Sequence, residues 1–93
     1  MNSTTPIKVM LVEDYAAFRQ ALAFVLAEEQ RLEVVAQAGS LAAAREVLEG
    51  GPEGSLDVAL IDLVLPDGDG TDLIAELRRS NPAIKVMVLS ADL

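Results

Sequence analysis

Three carboxylates stand directly after apolar runs in this chain. Asp62 follows Val58-Ala59-Leu60-Ile61, and Glu13 and Asp14 follow Val9-Met10-Leu11-Val12. Short, continuous apolar runs are typical of buried strands in a parallel sheet. Open α/β sheets bind ligands at the carboxyl ends of such strands. We therefore expect the three acids to meet at one edge of a sheet.

Three acids at one sheet edge repel each other, and a bound divalent cation relieves that repulsion. Mg²⁺ held by one or two carboxylates keeps coordination positions open for phosphate oxygens. A carboxylate can itself be the nucleophile that forms an aspartyl phosphate. The central strand favours Asp62 as this nucleophile, with Glu13 and Asp14 holding the metal. Ser90, which ends another apolar segment, then hydrogen-bonds a phosphoryl oxygen.

Composition restricts the possible chemistry. The 93 residues suffice for one domain, and the core must be aliphatic because only 3% of the residues are aromatic. Without Cys or His, a metal site has to use oxygen ligands, which suit Mg²⁺ or Mn²⁺. A net charge of −8 argues against nucleic-acid binding by this segment and favours cations or a basic partner.

Localisation follows from two further patterns. The chain has no apolar run near the roughly 20 residues of a membrane span. Its polar start lacks the pattern of a signal peptide. We expect a cytoplasmic protein with no membrane association.

Strand and helix patterns alternate along the chain. Strands are predicted over 7–12, 32–38, 58–62 and 85–90, and helices from Asp14 to near Glu29, over 41–48 after a Ser40 cap, and over 71–79. The apolar face of the first helix is predicted to comprise Phe18, Ala21, Leu22, Val25 and Leu26. The order β-α-β-α-β-α-β predicts an α/β fold, a parallel sheet with helices on both faces.

Three segments, in the right order and spacing, resemble the receiver domain of two-component response regulators. They are Val9-Met10-Leu11-Val12-Glu13-Asp14, Asp62-x-x-x-Pro66 with Gly70, and Val88-Leu89-Ser90-Ala91. The stretch Asp14-x-x-x-Phe18-Arg19-x-x-Leu22 resembles the NarL/FixJ subgroup, transcription regulators that usually carry a DNA-binding domain after the receiver. The resemblance implies a flavodoxin-like, three-layer fold with strand order 2-1-3-4.

The resemblance also implies a role for each residue of the acidic pocket. Asp62 is the implied phosphoacceptor for the phosphohistidine of a sensor histidine kinase. Asp14 and Asp62 ligate Mg²⁺ directly, Glu13 acts mainly through a water, and the Val64 carbonyl completes the protein ligands. On this basis the chain is a phosphoacceptor and not an enzyme, beyond self-catalysed phosphotransfer and dephosphorylation.

Residues around the pocket are assigned on the same basis. Ser90 matches the switch hydroxyl that turns toward the phosphoryl group. Ala91 matches a small residue on the phosphate access route. Val64 and Asp92 match positions that tune how fast the phosphoryl group is hydrolysed.

Compared with a complete receiver, residues 1–93 are expected to form a domain that is incomplete at its C-terminus. The family continues through a helix, a strand and a helix, on the order of 30 residues, with a Lys that pairs with the phosphoryl group. Without them the fourth strand is an apolar sheet edge, so we expect a homo-oligomer formed through that edge or by a swap. The alternative function is a phosphorylation-independent interaction module that kept the fold and lost the switch.

Simpler interpretations of the polar residues stay open at this point. Asp62 could be a turn or N-cap residue, and Asp14 could cap the first helix. Ser90 could satisfy only the backbone. Asp67 and Asp69, beside glycines, are expected to be solvated turn acids.

Overall fold

The computed structural model describes residues 5–51 and 56–89. Its strands and helices alternate as the sequence predicts, and each predicted element lies within about two residues of the observed one. In chain order they are β1 (Ile7–Val12), α1 (Ala16–Ala27), β2 (Leu32–Ala38), α2 (Leu41–Gly50), β3 (Val58–Asp62), β4 (Val64–Leu65), β5 (Gly68–Asp69), α3 (Gly70–Ser80) and β6 (Lys85–Leu89).

Within the described residues, β2, β1, β3 and β6 form one parallel sheet in that order. β6 is the fourth long strand, so the predicted order 2-1-3-4 and the flavodoxin-like fold are confirmed. Val12 of β1 pairs with Ile61 of β3, and Asp62 pairs with Leu89 of β6. The carboxyl ends of the two central strands therefore lie side by side.

Two apolar layers cover the two faces of the sheet, because successive strand residues point to opposite faces. On one face, Met10 and Ile61 pack with α2 and α3 in the larger cluster. On the other, Leu11 and Leu60 pack with Leu22 of α1 in a smaller cluster. The fold thus has the three layers that the alternating pattern predicts.

The prediction for the apolar face of α1 is partly wrong. Leu22 and Leu26 contact the sheet as expected, and Ala23 joins them. Phe18 and Val25, however, are 44% and 61% exposed. Apolar residues lie on nearly all sides of α1. Its 3.6-residue periodicity therefore predicts which side chains face the sheet only to within about one residue. Packing on the sheet selects this contact line.

A two-stranded antiparallel hairpin, β4 with β5, follows β3 and was not predicted. Gly68 in this hairpin has a φ of 154°, and a Cβ there would lie 2.6 Å from Cδ1 of Leu41. Glycine is therefore required both by the backbone and by the close approach to α2. The two strands are too short for sequence periodicity to reveal.

The hairpin also holds the N-terminus of α2. The carboxylate of Asp67 accepts hydrogen bonds from the backbone N–H groups of Leu41, at 2.8 Å, and Ala42, at 2.9 Å. The predicted cap is confirmed, since Oγ of Ser40 accepts from the N–H of Ala43 at 3.0 Å. These contacts satisfy backbone donors that have no partner inside the helix.

The expectation of solvated turn acids is therefore incomplete. Asp67 and Asp69 are exposed, but each accepts backbone hydrogen bonds. Asp69 is the N-cap of α3 and accepts from the N–H of Thr71 at 2.9 Å. Tertiary contact gives Asp67 a role that its local sequence does not indicate.

None of the helices in the described residues has the length and apolar character that crossing a bilayer requires.

The contact between Asp67 and α2 predicts a pH-dependent loss of stability. The N–H groups of Ala42 and Leu41 hold the pKa of Asp67 below its ordinary value of 3.8. A lowered pKa in the folded state means that the contribution is present above pH 3.8 and is lost as the pH falls through the folded pKa. Asp67→Asn should therefore lower the melting temperature at pH 7, because the two N–H groups bind different oxygens of Asp67 and the NH₂ group that replaces one of them cannot accept.

The difference in melting temperature between wild type and Asp67→Asn should shrink as the pH falls below about 4. Thermal unfolding followed by circular dichroism from pH 3 to 8 measures it. Glu46→Gln removes one negative charge from an exposed position of α2 and serves as the control. A difference that is independent of pH contradicts the assignment.

Candidate functional site

The carboxyl ends of β1 and β3 bring three carboxylates together. Glu13 and Asp14 follow β1 directly, and Asp62 is the last residue of β3. One oxygen from each residue lies within 4.8 Å of the others. The expected gathering of acids is thus present. All the donors are hard carboxylate oxygens, a set that fits Mg²⁺ or Mn²⁺.

Glu13 is the buried member of the three, with 5% of its surface exposed. Its Oε2 accepts from the N–H of Tyr15 at 3.0 Å, and its own N–H donates to the Ala38 carbonyl at 3.0 Å. Burial raises the pKa of Glu13 above its ordinary value of 4.5, and the nearby charge of Asp62 adds to this. The bond from Tyr15 opposes the shift. Glu13 is therefore held in place at an electrostatic cost.

Asp62 is half-buried, and its Oδ1 accepts from the N–H of Val64 at 3.1 Å. This bond to a residue two positions ahead is an Asx-type turn, so the turn interpretation is correct locally. Asp62 does not cap α3, because Asp69 is the N-cap of that helix. Its second oxygen, Oδ2, is not needed for the turn.

Asp14 is exposed and does not cap α1. The N-cap position of that helix is Tyr15, which makes no side-chain cap hydrogen bond. The alternative that Asp14 serves only as a helix cap is therefore not supported. Its carboxylate is exposed beside Glu13 and Asp62.

Gly70 allows α3 to start directly beneath the acidic site. A Cβ at this position would overlap the backbone oxygen of Asp62 and lie 3.0 Å from Cα of Leu63. The N–H of Gly70 donates to the Leu63 carbonyl at 2.8 Å. A side chain at residue 70 would displace the backbone that carries Asp62.

A cleft of about 440 Å³ opens over the acids. Its walls combine carboxylates with exposed apolar and aromatic side chains: Glu13, Asp14, Tyr15, Phe18, Asp62 and Val64. Tyr15, 67% exposed, and Val64, 72% exposed, form part of the rim. Sequence reasoning did not include Tyr15 or Phe18 in the site. The signals available in the sequence were the position of Tyr15 directly after Asp14 and the place of Phe18 in the Asp14-x-x-x-Phe18 stretch.

Three predicted site residues cannot be placed. Ser90, Ala91 and Asp92 lie outside the described residues. The last described residue of β6, Leu89, pairs with Asp62.

Comparison with known proteins identifies the class to which this fold and site belong. The family model for the response regulator receiver domain matches residues 9–93. The DNA-binding transcriptional activator DevR/DosR of Mycobacterium tuberculosis is 35% identical over 85 residues, which are 91% of this chain and 38% of that protein. Protein-glutamate methylesterase/protein-glutamine glutaminase 5 of Myxococcus xanthus is 38% identical over 91 residues, or 98% of this chain and 25% of that protein.

A solved structure gives the same result. The signal receiver domain of the response regulator NarL from Mycobacterium tuberculosis has a TM-score of 0.79 and 29% identity, covering 96% of this chain and 69% of that one. The chain belongs to the receiver domain family of two-component response regulators. It spans well under half the length of the two relatives compared by sequence.

The crowded carboxylates predict that Asp62→Asn stabilises the cation-free protein. Removing one of the three like charges, at a separation of about 4 Å near water, should raise the free energy of unfolding by about 1 kcal/mol. Asn retains an oxygen that can accept from Val64. Urea unfolding in the presence of EDTA measures the change, with Glu33→Gln on the exposed side of β2 as the control.

Added Mg²⁺ should then stabilise the wild type more than Asp62→Asn, because a ligand stabilises only the state that binds it. A variant that is less stable than wild type in EDTA contradicts the electrostatic account of the site.

Proposed function

We propose that this chain is the phosphoacceptor receiver of a two-component response regulator, taking a phosphoryl group from a sensor histidine kinase onto Asp62. The observation that carries the proposal is the approach of three carboxylates within 4.8 Å at the carboxyl ends of β1 and β3. Asp62 lies in a cleft open to a partner, on a central strand. Membership of the receiver family supports the same assignment.

In the proposed reaction, the Oδ2 oxygen of Asp62 attacks the phosphorus of a phosphohistidine. A P–O bond forms, the P–N bond breaks, and the electron pair leaves with the imidazole. The Val64 N–H on Oδ1 orients the carboxylate for this attack. Glu13 and Asp14 each have a carboxylate oxygen within 4.8 Å of one of Asp62, so their charge would oppose the approach of a phosphoryl group unless a cation offsets it.

Mg²⁺, or Mn²⁺, is the proposed cofactor. Asp14, Asp62 and the Val64 carbonyl would hold it, with Glu13 acting through a water. The ion would neutralise phosphoryl charge during transfer. Ser90 is the proposed switch hydroxyl, and Val64, Ala91 and Asp92 are proposed to control phosphate access and the rate of hydrolysis.

The proposed biological context is transcription regulation in the cytoplasm. The relative DevR/DosR is a DNA-binding transcriptional activator. The net charge of −8 makes DNA binding by these 93 residues unfavourable, so we do not propose it for this segment. The methylesterase relative is four times as long as the matched part. We therefore propose phosphate acceptance, not hydrolysis of a protein ester, for this chain.

The second candidate function is an interaction module that works without phosphorylation. The edge strand β6 favours it, because among the described residues β6 pairs with β3 alone. Its side chains Met87 and Val88 are 60% and 49% exposed, on opposite faces of the sheet. An exposed apolar edge offers unpaired backbone groups to another chain. We propose that two copies of this chain associate through β6, by edge pairing or by a swap.

Phosphorylation separates the two functions. Incubation with acetyl phosphate and Mg²⁺ should add the mass of one phosphoryl group to the intact protein. Asp62→Asn should abolish the increase, whereas Asp57→Asn, which changes an exposed carboxylate outside the cleft, should retain it. EDTA should prevent it in every variant. An unmodified wild-type protein contradicts the phosphoacceptor proposal and favours the interaction module.

Self-association is tested by light scattering at micromolar concentration. The wild type should be dimeric or larger, and Val88→Lys should shift it to monomer, since a charge on an edge strand opposes pairing. Phe24→Lys, which alters a side chain on α1 that is 69% exposed, should leave the mass unchanged. A monomeric wild type contradicts the proposal.

A further inference from the structure

Arg19 lies beside the acidic site without being one of its acids. It belongs to the first turns of α1, and its Nη1 donates to the backbone carbonyl of Glu13 at 2.6 Å. The same nitrogen is 3.1 Å from the position that a Cβ on Gly39 would occupy. The guanidinium thus lies between the turn that follows β1 and the turn that follows β2.

The burial of Arg19 is costly. Among the buried side-chain nitrogen and oxygen atoms of the described residues, its Nε is the one without a hydrogen-bond partner. A buried donor without a partner is destabilising, and such a group in a native protein calls for an explanation. Packing alone does not supply one, because an unbranched apolar side chain could fill the same space without the penalty.

The bond to the Glu13 carbonyl affects Asp14 because a peptide unit is planar. The carbonyl oxygen of Glu13 and the Cα of Asp14 belong to the same rigid plane. Fixing the oxygen therefore fixes where the Asp14 side chain starts. The Glu13 N–H is fixed by Ala38 and its carboxylate by Tyr15. The hydrogen bond from Arg19 fixes the third polar group of Glu13, its carbonyl, which is the one joined to Asp14.

Restraint matters here because the three acids repel one another. Carboxylates within 4.8 Å gain by moving apart when no cation is bound, and Asp14 is the exposed one with room to move. A site that is held in the binding geometry avoids the ordering cost when the cation arrives.

We infer that Arg19 is a positioning residue for the divalent cation site: it holds the Glu13–Asp14 peptide so that the Asp14 carboxylate stays within reach of Asp62. The inference rests on the proposed function for the cation itself. Gly39 has a matching role, because a side chain at that position would displace the guanidinium. Neither residue touches the cation.

The test is a Mg²⁺ titration of the full 93-residue chain. The chain has one tyrosine and no tryptophan, so Tyr15 fluorescence reports on the cleft directly. Arg19→Met should raise the Kd for Mg²⁺ about tenfold, the effect typical of residues that orient metal ligands. Arg31→Met removes the same charge from an exposed position and should leave the Kd within about twofold.

Two further variants separate geometry from charge and from folding. Arg19→Lys keeps a donor for the Glu13 carbonyl and should restore most of the affinity. Gly39→Ala changes no charge and should raise the Kd in the same direction by a smaller factor. If Arg19→Met does not fold, as judged by circular dichroism, these two variants decide the question.

The backbone order parameter of the Asp14 amide, from ¹⁵N relaxation without cation, gives a readout independent of binding. It should fall in Arg19→Met and remain unchanged in Arg31→Met. If wild type binds Mg²⁺ and Arg19→Met binds it equally well, the positioning role is overturned and the proposed function stands. If wild type binds no Mg²⁺, the proposed function fails, and an unchanged order parameter then overturns the role of Arg19 as well.

Discussion

Parallel pairing of β1 with β3 is the constraint on which the rest of this structure depends. The register sets Val12 opposite Ile61 and so places the residues that follow both strands at one edge. A slip of one residue would exchange the two faces of the strand that moves, turning Met10 away from the larger cluster if β1 slips, or Ile61 if β3 does. The apolar runs are buried on both sides, so the same burial that stabilises the sheet also positions the acids.

The three carboxylates of the site repel one another, and hydrogen bonds from the surrounding backbone offset part of this repulsion. The Tyr15 N–H binds the buried carboxylate of Glu13, and the Val64 N–H binds Asp62. Even so, burial and the charge of Asp62 keep the pKa of Glu13 raised. Local destabilisation of this kind is typical of functional sites.

Several contacts join the turns and helix ends at the sheet edge. Asp67 joins the hairpin after β3 to the N-terminus of α2, and Gly68 lets the two come close. Gly70 lets α3 begin against the backbone of Asp62. On the other side, Arg19 joins α1 to the turn after β1. The Asp67 contact joins elements about 25 residues apart, whereas the Gly70 and Arg19 contacts join each strand to the helix that follows it.

The sequence by itself determined the order of elements, the central strands and the identity of the three clustered acids. Continuous apolar runs and helical periodicity are local signals, and a parallel sheet brings its strand ends together whatever the details of the loops. The motifs around Asp62 and Asp14 were specific enough to indicate the receiver family, which the family match confirms.

Only the tertiary structure decided how those elements meet. It selected Leu22, Ala23 and Leu26 as the contact line of α1 and left Phe18 exposed at the cleft. In the folded chain Asp67, expected to be a solvated turn acid, accepts a hydrogen bond from the N-terminus of α2. Arg19 donates a hydrogen bond to the Glu13 carbonyl. The Asp67 contact depends on residues that are far apart in the chain, and the contact line of α1 depends on a helix rotation of about one residue. The Arg19 bond depends on how the turn after β1 folds back onto α1. No local pattern of residue types encodes these three geometries.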